Sequence, residues 1–140
     1  MGDLPTVLVV DDNPAHLELT REAFAEVSPG VRVVDAGTAE AALDVLRATA
    51  DVVRLVLLDL NLPGTDGFEV LRVIRASPAL VDLPVVILTT SHADADVRRS
   101  REYGASAYLL KPLGFAEHVS MIRGLVGFWL GGGADKGGAS

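Results

Sequence analysis

Four places along the chain put reactive side chains directly after short apolar runs: Asp11-Asp12, Asp59, Thr89 and Lys111. Each has an ordinary local explanation. Asp ends strands and opens turns, hydroxyls such as Thr89-Thr90-Ser91 form turns or caps, and a lone Lys is usually a solvated surface charge. The adjacent acids Asp11 and Asp12 could sit in a solvated turn, favoured by a helix dipole. Taken together they suggest something else. Adjacent acids at the end of a buried strand are costly to keep ionised, and carboxylates at close quarters are the ligands Mg²⁺ takes. Three acids, a hydroxyl and an ammonium suit a cation and a phosphoryl group held side by side. Phosphoryl transfer needs mainly such positioning and charge neutralisation. Asp59, central and delivered by the most apolar run, is the natural nucleophile.

That chemistry requires the strand ends to share one rim. Thr6–Val10 and Leu55–Leu58 are continuous apolar or β-branched runs, read as strands buried on both faces. Val31–Ala36, Val85–Leu88 and Ala107–Leu110 complete five strands. Between them lie helical segments. One starts at Pro14 behind Asn13 as cap, with Leu17, Phe24 and Val27 inward, and stops at Ser28-Pro29-Gly30. A second covers Ala39–Ala48 behind Thr38, using Ala42, Leu43 and Leu46. The loop from Asn61 to Gly67 leads into a third, where Asp66 and Glu69 have capping-box spacing and Phe68, Leu71 and Ile74 face inward. A fourth opens at Asp94 or Asp96, carries Val97 and ends at Gly104. The last runs from Leu113 to about Leu130. Alternating strands and helices predict an α/β fold, a (βα)5 doubly wound five-stranded parallel sheet with right-handed crossovers, in a flavodoxin-like three-layer sandwich. Ligands of such sheets bind beyond the carboxyl ends of the strands.

The last helix carries two apolar stripes, Phe115, Val119, Ile122, Val126 and Trp129 beside Met121, Leu125 and Phe128. A surface helix needs one. The second, with Trp129 at its edge, is expected to meet a partner, making the protein a homodimer through this helix.

Composition narrows the function classes. The 140 residues are 49% hydrophobic and 22% charged, which suits one domain over 1–130, with no room for an effector domain, and a flexible glycine-rich tail over 131–140. A net charge of −7 opposes nonspecific nucleic-acid or anionic-membrane binding, and the lack of cysteine excludes disulfides and thiol chemistry. No apolar run approaches the ~20 residues a membrane span needs, and no signal peptide is evident, so a cytoplasmic location is expected. Met1-Gly2 through Thr6 fits a myristoylation pattern only formally, since Thr6 and Val7 serve better in a strand.

In this order, Asp11-Asp12, Asp59, Thr89 and Lys111-Pro112 on a (βα)5 pattern resemble the receiver domain of bacterial two-component response regulators, over about residues 6 to 130. The resemblance implies a phosphoacceptor signalling domain rather than an enzyme, taking a phosphoryl group from a histidine kinase onto Asp59 with Mg²⁺. It assigns Asp12, Asp59 and the main-chain carbonyl of Asn61 as metal ligands, with Asp11 acting through water. Thr89 and Lys111 match the phosphate-binding pair, Tyr108 matches the aromatic switch, and the bond before Pro112 is expected to be cis. Asp59-Leu-Asn-Leu-Pro63, Leu88-Thr-Thr-Ser91 and Phe128-Trp129-Leu130 look more narrowly like stand-alone regulators of bacteriophytochrome histidine kinases, with Asp11 in place of the Glu common there. Two other classes stay in view. A metal-dependent aspartyl phosphatase would want an acid two residues beyond the nucleophile, where Asn61 stands. A phosphorylation-independent binding module would typically have lost one of these groups.

Overall fold

The computed structural model describes residues 5–131, without the Thr65 side chain. Beyond Gly131, the expected glycine-rich tail lies outside the described residues. The elements are β1 (Thr6–Val10), α1 (Pro14–Val27), β2 (Arg32–Ala36), α2 (Ala39–Thr49), β3 (Val53–Leu58), β4 (Asn61–Leu62), β5 (Thr65–Asp66), α3 (Phe68–Ala76), β6 (Val85–Thr89), α4 (Asp94–Glu102), β7 (Ala107–Leu110) and α5 (Phe115–Trp129). Five strands form a parallel sheet in the order β2-β1-β3-β6-β7. β4 and β5 make a small antiparallel hairpin apart from it, within a stretch expected to be only a loop.

The three central strands β1, β3 and β6 are buried nearly throughout, whereas the edge strands β2 and β7 are partly open. Alternation splits the core in two. Leu8, Val10, Val56, Leu58, Val85 and Ile87 face α2 and α3. Val7, Val9, Leu55, Leu57, Val86 and Leu88 face α1 and α5. Strand residues one apart must point to opposite faces, so continuous apolar runs are what a sheet covered on both sides demands.

The helix starts follow local chemistry. Asn13 accepts the N–H groups of Ala15 and His16 ahead of Pro14, and Thr38 accepts that of Ala41. The capping box expected for α3 does not form. Gly67 takes the cap position in helical conformation, and Asp66 instead accepts the Phe68 N–H at 3.0 Å. Gly104 closes α4 with φ +92°, in the left-handed region glycine tolerates.

Two helix faces depart from expectation. In α1 the buried positions are His16, Thr20, Ala23 and Phe24, while Leu17 and Val27 are half-buried. In α5 they are His118, Ile122, Leu125 and Val126. Leu125, expected on a partner face, is only 4% exposed and belongs to the core that Met121 and Trp129 also touch. Of that second stripe only Phe128, 75% exposed, is open. The apolar arc of α5 is wider than one stripe because it packs on both α1 and the sheet.

Candidate phosphoacceptor and metal site

The strand order places β1 beside β3 while β2 lies beyond β1, so connections leave in opposite directions between the two central strands. A crevice opens at such a reversal. The Asp59 N–H bonds the Val10 carbonyl at 2.9 Å, which sets the two strand ends level. Asp11, Asp12 and Asp59 then offer carboxylate oxygens within 4.8 Å of one another. Asp11 and Asp59 are buried and Asp12 is exposed. Oxygen donors at this spacing, open on one side, fit a hard divalent cation.

Lys111 arrives from the end of β7. Its Nζ lies 2.8 Å from Asp59 Oδ2 and 3.0 Å from Asp11 Oδ2. Burial alone would lower the lysine's affinity for its proton, but hydrogen bonds to Asp59 and Asp11 outweigh it and hold the ammonium above its usual range. Asp11 follows the same logic. Burial pushes its carboxyl up, yet donors from His16, the Asn13 N–H and Lys111 carry it below the usual value. The acid is therefore an anion with three donors: Asn13 N–H on Oδ1 at 2.9 Å, with His16 Nδ1 at 2.5 Å and Lys111 on Oδ2.

The Lys111–Pro112 bond is trans, and no cis peptide occurs among the described residues, which corrects the expectation at Pro112. Trans is the favoured isomer of an X–Pro bond by about 0.5–1 kcal/mol, and the ammonium reaches both acids from this backbone.

Thr89, fully buried, ends β6. Its carbonyl accepts the Lys111 N–H at 2.8 Å, and its hydroxyl accepts the Ser91 N–H at 3.3 Å. Tyr108, half-buried on β7, donates its hydroxyl to the Ser91 carbonyl at 2.9 Å. The candidate switch pair thus meets at the loop after β6. That loop is held further by Ser91, whose hydroxyl donates to Asp96 at 2.6 Å.

Asn61 follows Asp59 into β4 and gives its N–H to Asp59 Oδ1 at 3.0 Å. The hairpin folds back tightly. A Cβ on Gly67 would stand 2.7 Å from the Asp59 carbonyl oxygen and 2.8 Å from Leu60 Cα, so only glycine lets the loop close over the strand end. Beyond it, Arg99 of α4 bonds Asp66 at 3.0 Å and lies 4.2 Å above the Phe68 ring.

The structure brings Asp11, Asp12, Asp59 and Lys111 together, with Thr89 joined through the backbone. Met121, Leu125, Phe128 and Trp129 lie on a different element, α5, and Leu125 is inaccessible. Sequence reasoning missed His16 and Gly67. His16 lies five residues after Asp11, in the first turn of the helix that Asn13 caps, and that spacing alone carries no signal.

Residues 7–123 match the response regulator receiver domain family. The probable methanogenesis regulatory protein FilR2 of Methanothrix harundinacea is 40% identical over 129 residues, covering 89% of this chain and 83% of that protein. Response regulator Rcp1 of Synechocystis is 35% identical over 129 residues, covering 89% and 88%. The crystal structure of the phosphorylated cyanobacterial phytochrome response regulator RcpA has a TM-score of 0.83 at 33% identity, covering 93% of this chain and 96% of that one. The Mn²⁺-bound form of Rcp1 has a TM-score of 0.79 at 33% identity, covering 95% and 99%.

Proposed function

The chain belongs to the response regulator receiver domains, and from that membership we propose how its own residues carry out the work. A response regulator of a two-component phosphorelay takes a phosphoryl group from a histidine kinase onto an aspartate and changes a partner-binding surface in consequence. We assign the aspartate as Asp59. The carrying observation is that Asp59 is held by Lys111 at 2.8 Å, among carboxylates spaced for a divalent cation.

In this reading Asp12, Asp59 and the Asn61 carbonyl would hold the cation, taken as Mg²⁺, with Asp11 as an outer partner that would act through water. Bound there, such an ion would supply charge neutralisation for phosphoryl transfer. An Asp59 oxygen attacks phosphorus, the donor's N–P bond breaks, and an acyl phosphate forms as the imidazole leaves. Lys111 turns from the carboxylate to a phosphoryl oxygen, and the Thr89 hydroxyl takes another. The acyl phosphate carries roughly −1.5 to −2 charge where the carboxylate carried about −1. Thr89 is drawn toward it, Tyr108 releases Ser91 and moves inward, and the face made by α4, β7 and α5 is reshaped. The protein's chemistry is confined to its own aspartate: self-phosphorylation from a donor and loss of the group to water.

The donor is proposed to be a bacteriophytochrome histidine kinase, on the likeness to RcpA, which is itself a phytochrome response regulator. A homodimer through α5 now rests on exposed Phe128 beside Trp129, the two rings in edge contact at 4.5 Å, and no longer on Leu125. The net charge of −7 supports partners other than nucleic acid. Among the described residues no helix is long and apolar enough to cross a membrane, and cytoplasmic residence is the proposal that accompanies a kinase partner.

Asp59→Asn should abolish acid-labile phosphate uptake from a small phosphodonor with Mg²⁺, read by intact-protein mass. Full labelling of that variant would refute the assignment.

A further inference from the structure

Two histidines, His16 on α1 and His118 on α5, are packed ring against ring beneath the acids, with centroids 5.0 Å apart and planes at 57°. His16 is 7% exposed and His118 fully buried. Neither is explained by packing alone, since an apolar side chain would fill the same space without burying polar nitrogen. Their bonding fixes their tautomers. The Gly114 carbonyl can only accept, so His118 Nδ1, at 3.1 Å, carries the proton. The Asp11 carboxylate takes the Asn13 N–H and the Lys111 ammonium as donors, and His16 Nδ1, 2.5 Å from Oδ2, donates likewise. Both Nε2 atoms are buried without a hydrogen-bond partner. Burying such atoms costs free energy, and a Met or Leu at position 16 would avoid it.

We propose that His16 is a positioning residue for the divalent cation: its Nδ1–H locks the Asp11 carboxylate, and His118, anchored to Gly114, backs the ring. The inference rests on the metal-site reading above and extends it to a residue outside the ligand set. Asp11 Oδ2 is shared by His16 and Lys111. When Lys111 turns to a phosphoryl oxygen, His16 is the side-chain donor that remains. It keeps Asp11 from rotating away while the Asn13 N–H holds the other oxygen. The contacts also close a circuit. Lys111 ties the start of the β7–α5 loop to Asp11, and Gly114, in the same loop, ties it back through His118 and His16. Removing an outer-shell partner of a metal site commonly costs about 10–100-fold in affinity.

The test compares the parent chain with His16→Met and His16→Asn, using Mn²⁺ as probe and calorimetry as readout. Met removes the donor at similar volume, and Asn places an amide N–H near the position of Nδ1. His16→Met should bind Mn²⁺ about 10–100-fold more weakly while its metal-free melting temperature holds or rises, and His16→Asn should recover much of the affinity. In the metal-free parent, ¹⁵N spectra should show Nδ1 protonated in both rings. Equal affinity in the parent and His16→Met, an Nε2–H tautomer at His16, or parallel loss of affinity and stability would each overturn the inference. Those results leave the Asp59 assignment standing. A parent that binds no Mn²⁺ at all overturns the site reading itself.

Discussion

Asp11 and His118 are buried titratable groups of opposite kind, and they act on stability in separate pH windows. His118 is depressed below its usual 6.5 by burial first, with His16 and Lys111 adding repulsion against the favourable Gly114 carbonyl and Glu117. As pH falls through 6.5 the unfolded chain gains this proton and the folded chain does not. Stability is therefore complete above that value and is lost on acidification until the folded group also titrates. Asp11, held below its usual 3.8, keeps its contribution above that value and loses it only in stronger acid. The urea midpoint of the parent should thus fall between pH 7.5 and 5.5, and His118→Leu should flatten that fall. An undiminished slope in the variant would place its origin elsewhere. At this scale Asp11, Asp12, Asp59, Thr89 and Lys111 were legible because each is a polar residue abutting an apolar run. His16 was not. A single histidine in a helix gives no sign of its partner until β1 and α1 are folded together.

For elements, the sharpest contrast lies along α5. Leu125 is core and Phe128 is surface. Leu125→Ala should cost about 2–5 kcal/mol in a urea titration, as truncation of a packed side chain does. Phe128→Ala should stay within about 0.5 kcal/mol. Comparable losses would mean that α5 is rotated from the position described. Element identity was readable because buried parallel strands are unbroken apolar runs and because Asn13, Pro14, Thr38 and Gly104 punctuate them. Helix orientation was less so. A helix between a sheet and a second helix buries a broad arc, so choosing among adjacent apolar stripes in α5, or between His16 and Leu17 in α1, needs the neighbour's position. The Asn61–Asp66 hairpin escaped notice because two-residue strands carry no periodicity.

At the scale of the molecule, strand order had to come from the three-dimensional structure, since it depends on which crossovers go to which face. It is that order that puts Asp11 beside Asp59. The exposed Phe128 on α5 leads to a prediction about assembly. Sedimentation of the parent at high concentration, with a phosphate analogue, should show a dimer that Phe128→Ala weakens. Monomer alone, both with and without the analogue, would remove the α5 interface. Every reacting group lies beyond the carboxyl ends of the strands, while β1 starts and α5 finishes at the far end. That far side also carries the turn from Pro78 to Pro84, which lines a shallow groove with Ala50 and Arg54. A dye, an immobilising tether or an inserted reporter attached on that side would leave donor access unobstructed, so the protein can be converted into a sensor of its own modification without disturbing the event being sensed.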